Sequence, residues 1–112
     1  MIIEDNPAII TAFTMLLEDT QWNIQTPGKD FKLASPDGTL PHLILLDMLL
    51  WGKDGKEIAR SLKKDASTKH IPIIMMSAYP DGRKQCLDAG ADSYIAKPCS
   101  IDELFSTMAK YA

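Results

Sequence analysis

Short apolar runs of strand length alternate along this chain with stretches whose apolar residues recur at helical spacing. That alternation restricts the fold more than any other feature. The runs are Met1 to Ile3, Leu43 to Leu46, Ile71 to Met76 and Tyr94 to Ala96, with a weaker one around Trp22 to Thr26. Unbroken rather than every-other-residue apolarity is what a strand covered on both faces requires. Between the runs, Ala12, Phe13, Leu16 and Leu17 share a helical face behind Asn6-Pro7, an N-cap followed by a first-turn proline. Ile58, Ala59 and Leu62 mark a second helix after Asp54-Gly55. Ile101, Leu104, Phe105 and Met108 mark a third behind a Ser100 to Glu103 capping box. Two links are weaker: Pro36 and Gly38 shorten or break any helix between Pro27 and Pro41, and Pro80-Asp81-Gly82 delays a helix that Gly90 ends. Strand and helix in alternation predict an α/β sheet of parallel strands joined by right-handed crossovers.

The length, 112 residues, is one domain's worth, and no repeat or linker-like shift divides it, so residues 1–112 are expected to form a single domain. Twelve basic residues against 15 acidic ones leave a net charge of -3, no electrostatic footprint for nucleic acid or an anionic membrane. No uncharged stretch approaches the roughly 20 residues of a membrane helix, and Met1-Ile2-Ile3 runs straight into Glu4-Asp5 without the pattern of a signal peptide. Cys86 and Cys99 form no CxxC pair and read as small apolar residues, so a reducing, cytoplasmic setting is expected.

The residues that carry chemistry stand at the ends of the runs. The first run ends in Glu4-Asp5, the second strong one in Asp47, the third in Ser77 and the fourth in Lys97-Pro98. In an open parallel sheet the carboxyl ends of the strands share an edge, and ligands bind there. Asp47 lies inside LILLDMLLW, where an ionised carboxylate is costly without a cation nearby. Three carboxylates brought together repel one another, which a divalent cation relieves, and an all-oxygen set without His or Cys favours Mg2+ over zinc. A cation, a lysine and a serine hydroxyl make a clamp for a phosphoryl group in transfer. Aspartate can form an acyl phosphate, and Asp47 is the best placed nucleophile.

With IIEDN at its start, LILLDMLLWGKDG in its middle, then PIIMMSA and AGADSYIAKP, the chain resembles the response-regulator receiver domain over essentially its whole length. The spacing agrees: 30 residues separate Asp47 from Ser77 and 20 separate Ser77 from Lys97. The resemblance implies a flavodoxin-like, doubly wound, five-stranded parallel sheet of order 2-1-3-4-5 with helices on both faces. It implies that Asp47 is the phosphoacceptor, and that Glu4, Asp5, Asp47 and the backbone carbonyl of Leu49 hold Mg2+. It makes Ser77 and Lys97 partners of the phosphoryl group, assisted by the backbone at Met48 and Ala78, with Tyr94 as the switch aromatic and a cis peptide between Lys97 and Pro98. The partner implied is a sensor histidine kinase or histidine phosphotransfer protein. A homodimer or output-domain contact would use the last two helices and the fifth strand. Trp51 departs from the pattern, standing four residues after the acceptor where the family usually has proline.

Other readings remain open on the sequence. A small Mg2+-dependent phosphatase of the haloacid-dehalogenase type would carry a second acid two residues after the nucleophile, where this chain has Leu49, and would need a longer chain for a substrate cap. Turnover of an external substrate is therefore not expected. A receiver-like binding scaffold that is never phosphorylated is the other alternative. Residue by residue, Tyr94 also suits plain packing and Ser77 a local backbone bond. His42 and His70 lack partners at metal-ligand spacing and read as structural or surface residues. Trp22, Trp51 and the six methionines read as core or loop packing, and Asp37, Asp54, Asp81 and Asp92 as turn residues.

Overall fold

The computed structural model describes residues 1–28, 32–34 and 37–112. Its elements run β1 (Ile2–Ile3), α1 (Pro7–Leu17), β2 (Ile44–Asp47), β3 (Leu49–Leu50), β4 (Lys53–Asp54), α2 (Gly55–Lys64), β5 (Ile73–Ser77), α3 (Gly82–Asp88), β6 (Ser93–Ala96) and α4 (Ile101–Ala109). Polar caps start three of the helices. The side chains of Asn6, Asp54 and Ser100 accept the backbone N–H of Ala8, Lys56 and Glu103, satisfying donors a first turn leaves open. Asp81, before α3, makes no such cap and instead accepts a hydrogen bond from Gln85 Nε2 at 2.7 Å. Gly90 follows that helix at φ 107°, the left-handed stop its position predicts.

Four strands form one parallel sheet in the order β1-β2-β5-β6. This is the order expected of the first, third, fourth and fifth apolar runs. The stretch expected as the second strand, Trp22 to Thr26, makes no ladder: Ile2 N–H donates to the Gln25 carbonyl at 2.8 Å, on the edge of β1 that β2 leaves free. It is the right neighbour in the right place, but Asn23, Gln25 and Thr26 are polar, and Pro27, which has no N–H to give, follows at once. The link beyond it has no helix among its described residues, and Lys29, Asp30, Phe31, Ser35 and Pro36, one of the two expected helix breakers, lie outside the described residues.

The unbroken apolarity of the strands finds its reason in two cores. Ile44, Leu46, Ile73 and Met75 point to one face, where Ala59 of α2 and Cys86 of α3 cover them. Leu43, Leu45, Ile74 and Met76 point to the other, under Phe13 and Leu17 of α1 and Leu104 and Met108 of α4. Burial on both sides removes the polar face that would otherwise alternate. Met15, in contrast to the packing expected of the methionines, stands 68% exposed on α1, since its position falls between the apolar stripe residues Phe13 and Leu17.

One element has no counterpart among the sequence expectations. β3 and β4 form an antiparallel hairpin joined by Trp51-Gly52, with Leu50 opposite Lys53. Both turn residues have positive φ, 48° and 74°, the twist that two-residue hairpins prefer. Glycine suits that conformation, and tryptophan does not.

Candidate functional site

The carboxyl ends of β1, β2, β5 and β6 deliver the polar residues marked in the sequence to one edge of the sheet. A cavity of about 300 Å³ opens there, lined by Asp5, Asp47, Met48, Leu49, Ser77, Ala78 and Lys97 together with Gly52 and Tyr79. Glu4 lies beneath it, buried, and Tyr94 stands behind Ser77. A larger cavity of about 610 Å³ near Met1, Trp22, His42 and Tyr111 contains none of these residues.

Lys97 sits at the centre. Its Nζ lies 3.0 Å from Glu4 Oε2 and 3.2 Å from Asp47 Oδ2. Burial alone would lower the lysine pKa, but the hydrogen bond to Glu4 and the charge of Asp47 outweigh it and hold the ammonium above its ordinary value. Glu4 shifts upward as well. Burial disfavours its charge, and Asp47 adds to that effect, more strongly than Lys97 and the Asn6 N–H offset it. Its Oε1 accepts the N–H groups of Asp5 and Asn6, at 3.1 and 3.2 Å, which fixes the carboxylate at the turn into α1. Asp5, more exposed, is held below the usual carboxylate range, chiefly by the Trp51 N–H donating to its Oδ2 at 2.9 Å.

Glu4, Asp5 and Asp47 each offer a carboxylate oxygen within 4.8 Å of the others. Three acids against one lysine leave a surplus of negative charge, and the donors are hard oxygens, the set that fits Mg2+. Asp47 Oδ1 accepts the Met48 N–H at 2.9 Å, which leaves Oδ2 facing Lys97. Ser77 Oγ accepts the Tyr79 N–H at 2.9 Å. The Ser77 carbonyl is shared: the Lys97 N–H donates to it at 2.9 Å and the Tyr94 hydroxyl at 3.1 Å. The Lys97–Pro98 peptide is cis.

Glycines complete the packing. Gly55 opens α2 with its N–H on the Met48 carbonyl at 2.7 Å, and a Cβ there would overlap the Asp47 carbonyl oxygen. Along the sequence Gly55 reads only as a helix boundary, and the Trp51 amide does not stand out at all. The available signal is Gly as second residue of a two-residue link between Leu49-Leu50 and Lys53-Asp54. Away from the cavity, His42 and His70 are exposed, Cys86 is buried with its thiol pushed up to about 11, and Cys99 is half-buried. Asp37 caps a turn through the Thr39 N–H, whereas Asp92 does more than a turn needs: its Oδ2 takes both Lys63 Nζ and the Ile73 N–H at 2.8 Å.

A two-faced parallel α/β sheet with polar residues gathered at the carboxyl edge of its strands defines the doubly wound class of α/β folds, whose ligand sites lie at that edge. Within that class the chain belongs to the response regulator receiver domain family, whose model matches residues 1–109. The phosphate regulon transcriptional regulatory protein PhoB of Pseudomonas aeruginosa is 50% identical over 70 residues, covering 61% of this chain and 31% of that protein. The chain spans less than half the length of the curated relatives it matches. Among solved structures, the signal receiver domain of a signal transduction histidine kinase from Syntrophus aciditrophicus has a TM-score of 0.81 at 27% identity, over 98% of this chain and 86% of that one. The receiver domain of the sensor histidine kinase PA1611 from Pseudomonas aeruginosa, solved with a magnesium ion coordinated in its active site cleft, has a TM-score of 0.79 at 24% identity, over 98% and 93% of the two chains. Receiver domains are signalling switches rather than enzymes that turn over an external substrate. Among the described residues no helix is long and apolar enough to cross a membrane.

Proposed function

We propose that residues 1–112 act as one phosphoacceptor receiver domain, in which Asp47 takes a phosphoryl group from a phosphohistidine donor. The observation that carries this reading is the position of Asp47: at the cavity wall, one oxygen facing Lys97 at 3.2 Å, and within ligand distance of Glu4 and Asp5. An Asp47 carboxylate oxygen forms the new O–P bond while the donor N–P bond breaks and its electron pair returns to the imidazole. Glu4, Asp5, Asp47 and the Leu49 carbonyl would hold Mg2+, which supplies charge neutralisation for the incoming phosphoryl oxygens. Lys97 places its ammonium beside the receiving oxygen, Ser77 offers a hydroxyl, and Met48 and Ala78 line the cavity, where their backbone N–H groups would meet the phosphoryl oxygens. Tyr94, tied to the Ser77 carbonyl, is placed to report a shift of that residue.

The partner is a histidine kinase or a histidine phosphotransfer protein in the cytoplasm. α3, β6 and α4 form the surface for an output domain or second copy, and nucleic acid is not a direct ligand. Intact mass after incubation with Mg2+ and acetyl phosphate tests the reading. A single phosphoryl adduct, labile to hydroxylamine and missing from Asp47→Ala and from samples loaded with EDTA, is expected. A folded chain that binds Mg2+ yet takes no phosphoryl group, from acetyl phosphate or from a kinase, would be a binding scaffold instead.

A further inference from the structure

Ser77 and Tyr94 are packed on their far side against a residue that has no side chain. Gly82, the first residue of α3, is buried, and its N–H donates to the Tyr79 carbonyl at 3.1 Å. A Cβ on Gly82 would lie 2.6 Å from Ser77 Oγ, 2.8 Å from Ser77 Cβ and 2.8 Å from the Tyr94 hydroxyl, all closer than real side chains approach. Both neighbours are tethered, so yielding breaks a hydrogen bond. Ser77 Oγ is held by the Tyr79 N–H and the Tyr94 hydroxyl by the Ser77 carbonyl. Nor does the backbone require glycine here: the left-handed glycines are Gly38, Gly52 and Gly90, and Gly82 is not among them. What position 82 needs is empty space.

We propose that Gly82 is a positioning residue for phosphoryl transfer at Asp47. By lacking a side chain it lets α3 close down on Ser77 and Tyr94, and so fixes where the Ser77 hydroxyl sits in the cavity wall. Rotating the Ser77 hydroxyl away does not relieve the overlap, because the Ser77 Cβ itself lies 2.8 Å from the added carbon. A side chain at residue 82 therefore displaces either Ser77 Oγ or the first turn of α3. This rests on the reading of Asp47 as phosphoacceptor.

The test is a double-mutant cycle on the rate of adduct formation from acetyl phosphate, with wild type, Gly82→Ala, Tyr94→Phe and the double variant. Gly82→Ala should slow the reaction by at least about threefold and lower the thermal midpoint, and Tyr94→Phe should matter less in the Gly82→Ala background than in wild type. A wild-type rate with a raised midpoint, the ordinary result of replacing an unstrained helical glycine, overturns the proposal. So do two effects that simply multiply. Should the variants fail to fold, NOEs in the wild-type chain from the Gly82 α-protons to the Tyr94 ring and Ser77 β-protons are still required, and their absence overturns it equally. A wild-type chain that takes no phosphoryl group refutes the Asp47 reading, whereas a phosphorylated wild type with an unaffected Gly82→Ala refutes Gly82 alone.

Discussion

Glu4 carries a charge the fold would be easier without. Its side chain is 1% exposed, and burial together with Asp47 raises its pKa in the native state despite the bond to Lys97. The native chain thus takes up a proton at Glu4 more readily than the unfolded chain. The stability this group contributes is present below the ordinary carboxylate range and lost as pH rises through its native pKa. Glu4→Gln keeps acceptors for the Asp5 and Asn6 N–H groups and removes the charge. It should flatten the loss of stability between pH 4 and pH 7 in metal-free buffer while weakening Mg2+ binding; an unchanged pH dependence would contradict this account. Asp5 has the opposite sign: its contribution is present above the ordinary carboxylate range and lost as pH falls through its lowered pKa.

At the scale of elements, the β3–β4 hairpin depends on that same Asp5. Trp51 holds a left-handed backbone unfavourable for tryptophan, and the bond from its N–H to Asp5, with its ring against the core beside β2, offsets the cost. Asp5→Ala should increase hydrogen exchange at the Trp51 amide several-fold while leaving the amides of β5 protected. α4 offers a simpler case: Ser100→Ala removes the acceptor of the Glu103 N–H and should cost about 1 kcal/mol, roughly 4 °C in the thermal midpoint, without changing the yield of phosphoryl adduct. These elements also mark how far the sequence is legible. Strand ends, caps and the stripe of α4 can be read because residue type alone implies them: apolar runs stop where a carboxylate, a hydroxyl or a lysine begins. The hairpin cannot, since Trp51-Gly52 lacks the Asn-Gly or Asp-Gly signature. Gly82 reads as part of a turn delaying the helix, yet it is that helix's first residue, because space-filling demands on a glycine leave no trace in its neighbours along the chain. The second strand fails for a related reason: one edge bond to Gln25 is a tertiary fact that local pattern does not encode.

For the molecule as a whole, a cation held by the acidic cluster would make binding and folding one equilibrium. A ligand that binds only the native chain stabilises it by an amount set by its excess over Kd, about 2.7 kcal/mol at a hundredfold excess. Mg2+ should therefore raise the thermal midpoint in a concentration-dependent way, EDTA should reverse the rise, and Asp5→Ala should blunt it; no rise in wild type would remove the cation from the proposed function. The order in which the chain assembles adds something further. Lys97 and Glu4 are separated by 93 positions, and β1, only two residues long, pairs with residues 45 and 46. Contacts between such distant parts of a chain are slow to form, because the closure entropy of a long loop is spent before the contact gives anything back. The acidic pair thus meets its lysine only once both termini have come home. In a refolding experiment, backbone signals from α2 and β5 should recover before any signal that depends on Mg2+, so on the proposed reading a chain still emerging from the ribosome would be deaf to a phosphodonor until the strand that carries Lys97 was laid down.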